Sequence, residues 1–333
     1  MTLRIGINGL GRIGRCALRA LFETSATDIE LAAVNGPAPL ETHIHLLKYD
    51  SVHGRFATEV AAVGEHLSIG GKEVKLFHHR EPQQIPWGEL GVDMVLECTG
   101  KFNRRAEAAR HLESGAKKVL ISAPAEDADA TIVYGVNNAM LKPQQQVISV
   151  GSCTTNGLAP LAKILHDAIG IESGFMTTIH AYTGDQNLVD GSHKDLRRAR
   201  AAGISIIPTS TGAARTIGLI LPELKGRLDG VALRVPTANV SMIDLCFMAS
   251  RNTTKEEINQ ALCDAAQHTL KGVLGISTEP LVSIDYTHTT YSSIADLTGT
   301  HVTGGRLCRV AAWYDNEWAF SCRMLDVARL WAA

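Results

Sequence analysis

The sequence contains no Cys-x-x-Cys pair. Its seven cysteines (Cys16, Cys98, Cys153, Cys246, Cys263, Cys308 and Cys322) are scattered and odd in number. Neither a disulfide framework nor a zinc knuckle is expected, and the pattern suits a reducing cytoplasm. No apolar run is long enough to cross a bilayer, and the first residues lack the basic, apolar, small-residue order of a signal peptide. No membrane partner is expected, and the expected location is cytoplasmic. Charge of one sign is also missing: a net charge of −2 over 333 residues argues against a general nucleic-acid binder. Close histidine pairs are poorly placed for a metal. His43 and His45 would point to nearly opposite sides of a helix, and His78 and His79 to opposite faces of a strand, so no metal site is expected. What remains is a composition of 45% hydrophobic and 20% charged residues, that of an ordinary soluble protein with length enough for two domains.

The first half alternates strands with helices. Leu3–Asn8 reads as a buried strand, Gly9-Leu10-Gly11-Arg12-Ile13-Gly14 follows, and a helix is expected over Arg12–Phe22. A Gly-x-Gly-x-x-Gly turn between a strand and a helix predicts a dinucleotide site. The glycines let the backbone approach a pyrophosphate, which the helix N-terminus attracts. The second strand, Ile29–Val34, ends in Asn35-Gly36-Pro37, where the fingerprint expects Asp or Glu for the ribose 2′-hydroxyl. The nearest acid, Glu41, lies beyond two prolines, and Gly36 is expected to leave room and a free backbone N–H. Further strands are expected over Val92–Cys98, Lys118–Ser122, Thr131–Val136 and Val147–Val150, with a helix over Arg104–Ser114 stopped by Gly115. This order predicts a mostly parallel sheet. Leu46–Asp50 and Val60–Phe77 read as an insertion with hairpin character, because Gly70-Gly71 is a turn signal.

The chain turns on Ser149-Val150-Gly151-Ser152-Cys153-Thr154-Thr155-Asn156-Gly157. A helix pattern follows, with Pro160 expected in its first turn and Gly170 at its end. Cys153 would sit where a strand feeds a helix N-terminus, a place that lowers thiol pKa values; a buried structural thiol is the alternative. Beyond Gly170, Thr177–His180 ends a strand, and a long polar loop, Ala181–Gly203, carries Lys194, Arg197, Arg198 and Arg200. Val231–Val235, Val240–Met248 and Arg306–Tyr314 read as strands, Thr254-Lys255-Glu256-Glu257 as a capping box, and Glu317–Leu330 as a closing helix. Few helices separate these strands, so this half is expected to be α+β on a largely antiparallel sheet.

A thiol nucleophile needs a base, and His180 is the best-placed of the 13 histidines. A cysteine–histidine pair with a dinucleotide site suggests aldehyde oxidation: the thiolate adds to the carbonyl, hydride leaves to the cofactor, and a thioester remains. Thr209-Ser210-Thr211-Gly212-Ala213-Ala214 is a hydroxyl- and glycine-rich turn suited to phosphate, or a plain Ser/Thr-rich turn.

Four stretches in order, Ser152-Cys153-Thr154-Thr155-Asn156, His180-Ala181-Tyr182-Thr183-Gly184-Asp185-Gln186, Thr211-Gly212-Ala213-Ala214 and Asp315-Asn316-Glu317-Trp318, closely resemble phosphorylating glyceraldehyde-3-phosphate dehydrogenases over essentially the whole chain. The resemblance implies Cys153 as nucleophile and His180 as its base. It implies Thr183 and Arg234 for the substrate's phosphate, with Ser152, Thr154, Thr211 and Gly212 for inorganic phosphate and Arg198 beside them. Asn316 matches the residue that orients the nicotinamide carboxamide. Gly9, Gly11, Arg12, Ile13, Gly14, Asn35, Gly36 and Ser122 fall at the cofactor. It further implies a Rossmann-type α/β domain over 1–152, with the final helix 317–333 packing back on it, and a catalytic domain over 153–316. Glyceraldehyde 3-phosphate and inorganic phosphate are the expected small-molecule partners, and a homotetramer is the expected assembly, with Ala181–Gly203 at a subunit interface.

The chain departs from the family's pattern in three places. Gly157 stands where a second cysteine is usual, Ala319-Phe320 replaces Gly-Tyr, and the cofactor-ribose residues differ. Gly191-Ser192 precedes His193-Lys194-Asp195-Leu196-Arg197-Arg198 where strictly NAD-dependent relatives carry Leu-Pro. That pair resembles the Ala-Ser of NADP-using relatives, and with Gly36 it makes NADP the favoured cofactor and NAD a second. Two rivals are an erythrose-4-phosphate dehydrogenase, which lacks the His-Ala-Tyr-Thr-Gly-Asp-Gln and Thr-Gly-Ala-Ala stretches, and a non-catalytic dinucleotide-binding or regulatory protein.

Overall fold

The computed structural model describes residues 2–24 and 26–333. The chain forms two compact units: Met1–Ile132 with Asn138–Gly151 and Ser321–Ala333, and Val133–Asn137 with Ser152–Phe320.

The first unit is built on a nine-stranded sheet. Its parallel part runs, edge to edge, Ala130–Thr131, Val147–Ser149, Lys118–Ile121, Met94–Glu97, Leu3–Asn8, Ile29–Asn35 and Lys72–Phe77. Strands such as Met94–Glu97 are buried along their whole length, as expected of a parallel sheet covered on both faces. The hairpin strands His66–Ile69 and Val60–Val63 extend it antiparallel, through the Gly70-Gly71 turn, where both glycines have positive φ. Several element bounds differ from expectation. Only Ala130–Thr131 is strand, because Val133 N–H turns back to Asn137 Oδ1 at 2.8 Å. The helix expected over Arg104–Ser114 is broken at Ala109 into two turns. An unexpected helix, Leu40–Lys48, starts after Pro39, whose carbonyl accepts the Thr42 and His43 N–H groups at 3.1 and 3.2 Å. The closing helix, Trp318–Ala332, is held in this unit from Ser321 onward by Ser321 Oγ on the Ile13 carbonyl, Lys118 Nζ on the Trp331 carbonyl and the Arg329–Asp28 ion pair.

The second unit is a seven-stranded sheet in the order Ile207–Ser210, Leu228–Val235, Ile171–Ala181, Ser241–Ala249, Leu307–Tyr314, Ser293–Thr303 and Leu274–Ser277. Four of its six junctions are antiparallel. The helices Cys153–Ile169, Ala213–Ile220 and Lys255–Gln267 supply Leu158, Leu161, Leu165, Ile217, Ile258 and Leu262 to a core shared with Met176, Ile243, Leu245 and Val310 of the strands. Thr254 Oγ1 caps the last of these helices by accepting Glu257 N–H at 3.2 Å. Pro160 is the eighth residue of Cys153–Ile169, not part of its first turn, and the helix runs past it to Gly170, whose φ is 72°.

Candidate active site and cofactor cleft

Cys153 opens its helix, and Ser152 caps it: Ser152 Oγ accepts the Thr155 N–H at 3.0 Å. His180 lies one residue from the end of Ile171–Ala181. Period-two alternation sends Met176, Thr178 and His180 to one face, and all three are buried. The parallel register sets His180 beside Arg234. Cys153 Sγ then lies 3.5 Å from His180 Nε2. On the other side of the ring, Nδ1 is 2.7 Å from the Ala181 carbonyl and 2.7 Å from Arg234 Nη1, which is itself 3.1 Å from that carbonyl. A guanidinium only donates. Where Arg234 donates to Nδ1, the ring proton is on Nε2 and faces the sulfur. Where Nδ1–H donates to Ala181, Nε2 is free to take the thiol proton.

Burial drives His180 down to about 3, with the Arg234 charge adding to the fall and the Ala181 carbonyl opposing it. The same desolvation raises the Cys153 thiol, against Arg234 and the helix-terminal N–H groups. The depressed thiol expected from a helix N-terminus is therefore corrected: those amides act, and burial outweighs them. Tyr314, which sequence reasoning missed, packs edge-on to His180 with ring centroids 5.9 Å apart. Its hydroxyl bridges Thr154 Oγ1 at 2.9 Å and Thr178 Oγ1 at 2.7 Å. Ser241, also missed, accepts the Ala181 N–H at 3.1 Å and donates to Asn316 Oδ1 at 2.9 Å, which orients that amide. The even spacing of Met176, Thr178 and His180 was the one available signal for this inner face. Gly157 faces Ile243 Cδ1 and Tyr314 Cγ, which would stand 3.0 and 3.1 Å from a Cβ there.

The residues assigned to phosphate sit in differing states. Thr154 is buried on Tyr314, and Ser152 Oγ also lies 2.8 Å from Thr155 Oγ1. Thr211 Oγ1 accepts the Ala213 N–H at 3.2 Å, while nothing lies within 4 Å of a Cβ built on Gly212. Thr183 N–H donates to Gln186 Oε1 at 3.0 Å. Arg198 is held by Asp185, donates from Nε to Thr209 Oγ1 at 2.8 Å, and lies 3.5 Å from Asp195. Ser192 is exposed on its loop.

In the first unit the Gly-rich turn has the cradle a pyrophosphate requires. Gly9 has φ +100°, and a Cβ on Gly14 would stand 1.9 Å from the Gly9 carbonyl oxygen. Gly11 caps the helix Arg12–Glu23 with no side chain across its N–H groups. Gly9 and Gly11, with Asn8, Asn35, Pro37, His43 and Arg80, line a cleft of about 700 Å³. Two of the assigned side chains are engaged inside the protein instead. Arg12 grips Asp50 bidentately at 2.5 and 3.1 Å. The Asn35 amide donates to Asn8 Oδ1 at 2.7 Å and to the His79 carbonyl at 2.9 Å, and accepts the His79 N–H at 2.9 Å. Ser122 N–H donates to the Glu97 carbonyl at 3.0 Å. Gly36 also differs from expectation. Its N–H is bonded to the Phe77 carbonyl at 2.9 Å, and a Cβ there would meet His43 Cε1 at 2.7 Å; the room is already filled.

Beneath this cleft runs a buried polar chain. Trp87 Nε1–H donates to His111 Nδ1 at 2.9 Å, which places the ring proton on Nε2, 3.0 Å from Glu97 Oε2. Glu97 also accepts Asn8 Nδ2 at 2.6 Å and the Thr99 N–H at 2.7 Å, and Asn8 leads on to Asn35.

Over residues 3–105 the chain matches the family described as glyceraldehyde 3-phosphate dehydrogenase, NAD binding domain, and over residues 152–316 the corresponding C-terminal domain. It is 57% identical over 328 residues to a glyceraldehyde-3-phosphate dehydrogenase of Xanthobacter flavus, covering 98% of each chain. A protein of the same name from Cereibacter sphaeroides is also 57% identical over 328 residues. One from Geobacillus stearothermophilus is 54% identical over 329 residues, again covering 98% of each chain.

Proposed function

The chain belongs to the glyceraldehyde-3-phosphate dehydrogenase family, oxidoreductases that act on an aldehyde with phosphate and a nicotinamide dinucleotide, and on that premise we propose how its own residues divide the work. Cys153 adds to the aldehyde carbon of glyceraldehyde 3-phosphate. His180 takes the thiol proton, returns it to the carbonyl oxygen, and withdraws the hydroxyl proton; a nicotinamide dinucleotide held at the Gly9 and Gly11 turn would supply the hydride acceptor. A thioester on Cys153 remains, and inorganic phosphate displaces the thiolate to release 1,3-bisphosphoglycerate. The observation that carries this reading is the 3.5 Å approach of Cys153 Sγ to His180 Nε2 with Arg234 against the far side of the ring. Arg234 and Thr183 hold the substrate's phosphate. Thr211, the open Gly212, Ser152, Thr154 and Arg198 serve the inorganic one. Asn316, its oxygen turned to Ser241, offers its NH₂ to the nicotinamide carboxamide.

The cofactor we propose is NADP, with NAD also used. No carboxylate stands at the end of Ile29–Asn35 to repel a 2′-phosphate, and Gly191-Ser192 occupies the loop position that Leu-Pro takes in strictly NAD-dependent relatives. The assembly we propose is a homotetramer, supported by Leu188, Val189, Leu196 and Ile204, each more than 70% exposed on or beside one loop. Seven cysteines with no disulfide among them support a reducing cytoplasm. Reduction of NADP and of NAD, measured on one preparation with glyceraldehyde 3-phosphate and inorganic phosphate, tests the reading. Substantial NADP turnover that falls to a single equivalent when phosphate is withheld is expected. Negligible NADP turnover overturns the cofactor assignment, and turnover of erythrose 4-phosphate in preference overturns the substrate.

A further inference from the structure

Position 36 closes the strand Ile29–Asn35 at the rim of the cofactor cleft, and it has no side chain. A Cβ built there would stand 2.7 Å from His43 Cε1 and 2.9 Å from His43 Nε2. The imidazole of His43 therefore occupies the volume a side chain at 36 would take. His43 belongs to the helix Leu40–Lys48, is 4% exposed, lines the cleft with Gly9, Gly11, Asn35 and Pro37, and its Nε2 has no hydrogen-bond partner. A buried polar atom left unpaired is a standing cost that a ligand atom can relieve.

We propose that His43 is the cofactor-specificity residue of this chain, donating from its imidazole to the 2′-phosphate of NADP at the place where a carboxylate on residue 36 would repel it. The inference rests on the NADP reading above and deepens it. A phosphate at the Gly36–Pro37 rim meets the ring edge, and rotation about the Cβ–Cγ bond turns Nε2 toward it. The charge balance around the ring favours an anion. His78 stacks on His43 with ring centroids 6.5 Å apart, and with Arg15 it disfavours a further positive charge on the ring. Arg80 and Lys101 line the same cleft, and its one acid, Glu81, is paired with Arg110. Burial, followed by His78 and Arg15, holds His43 below its ordinary value in the free protein, opposed by the Gly36 and Ala38 carbonyls. A phosphate dianion supplies the missing counter-charge, so binding draws a proton onto the ring. The 2′-hydroxyl of NAD supplies no charge. NAD still binds, with no gain from protonation.

The test is calorimetric titration of NADP and of NAD into the full-length protein, His43→Phe and His43→Asn, at about pH 6.5 and about pH 8. Phe keeps the ring volume without an N–H, and Asn keeps a donor without a charge. His43→Phe is expected to weaken NADP roughly tenfold or more while NAD stays within about twofold, and His43→Asn to fall between. The advantage of the native protein over His43→Phe toward NADP should widen at the lower pH, with proton uptake visible in buffers of differing ionisation enthalpy. Thermal melts establish that each variant is folded; if Phe does not fold, Asn decides. Tight NADP binding by the native protein with NADP and NAD shifting in parallel, or neither shifting, overturns the role of His43 and leaves the NADP reading standing. Poor NADP binding by the native protein overturns both.

Discussion

The cofactor cleft and the thiol site are made from opposite materials. At the Gly-rich turn of the cleft the surface offered is backbone and glycine, and several polar side chains beside it are engaged within the protein. Asn35 is bound to Asn8 and His79, Arg12 to Asp50, and Glu97 to Asn8, Thr99 and His111. At the thiol site the side chains are the working surface. Cys153, His180, Arg234 and Tyr314 contact one another directly. Such a turn tolerates no added atom at Gly9 or Gly14 and holds a pyrophosphate without relying on a side chain of its own. A cluster of side chains should fail at the first substitution. Substitutions on each side can break that contrast or sharpen it.

The largest effects belong to the thiol site. Cys153→Ser should lose several orders of magnitude in turnover, because a hydroxyl is a far weaker nucleophile. His180→Asn should slow single-turnover acylation by roughly 10²–10⁴-fold. Both are followed by stopped-flow formation of the reduced cofactor, and near-normal acylation by either variant would remove that residue from the chemistry. Alkylation with one equivalent of iodoacetamide should label Cys153 in step with loss of activity. Label on another cysteine while activity survives would show that burial keeps the sulfur from reacting.

Arg234→Leu comes next and separates the phosphate grip proposed for this side chain from its observed contact with His180. Losing the grip on phosphate should lower kcat/KM for glyceraldehyde 3-phosphate by an extra ~10–100-fold relative to unphosphorylated glyceraldehyde, the range of a charged hydrogen bond. Losing the contact with His180 Nδ1 and Ala181 should lower both substrates together. A purely parallel loss would leave Arg234 only as a support for the histidine.

How far the sequence reaches differs between the two regions for the same reason. The Gly-x-Gly-x-x-Gly turn, the parallel order of strands, and the Cys153 and His180 pair were legible, because each is local or carried by spacing. The partners that complete the sites were not. Tyr314 reaches Thr178 from 136 residues away and Asn8 reaches Glu97 from 89, and no periodicity in either segment announces the other. Gly36 shows the limit most plainly. The missing side chain was visible, but the His43 ring that fills its place comes from a helix that Pro37 and Pro39 hid. The thiol environment was misjudged similarly: a helix N-terminus is a local feature, whereas desolvation depends on everything folded around it.

A smaller effect is expected in the chain beneath the cleft. Glu97→Gln keeps the shape but puts an NH₂ where the carboxylate accepts from Thr99 or from Asn8 and His111. About 1–3 kcal/mol of stability should be lost, the cost of buried donors left unpaired. Urea unfolding followed by circular dichroism measures it. Equal stability would mean that the backbone alone supports the cleft. NAD and NADP affinities should fall together, since Glu97 holds Asn8 and through it Asn35, which both line the cleft.

The smallest expected effect tests whether Arg12 serves inside the protein. Burial alone would raise the Asp50 carboxyl; the Arg12 hydrogen bond and the His53 and Val52 amides outweigh it and hold the group below its ordinary value of 3.8. The sign follows from proton counting. Below about pH 4 the unfolded chain protonates Asp50 before the folded one does, so the unfolded state binds more protons there and acid favours unfolding. The stability Asp50 contributes is complete above its unfolded value and is lost as the pH falls through the lower, folded one. Asp50→Asn should therefore cost on the order of 1 kcal/mol near neutrality, in the range of a partly buried charged pair, and should unfold less steeply than the native protein at acid pH. Arg12→Ala should mimic it in urea unfolding at both pH values while changing cofactor affinity less than about twofold, a margin below one ordinary hydrogen bond. If Arg12→Ala instead weakens NADP or NAD tenfold and leaves the acid limb unchanged, Arg12 is released from Asp50 when the dinucleotide arrives, and the Gly-rich turn would depend on a side chain of its own after all.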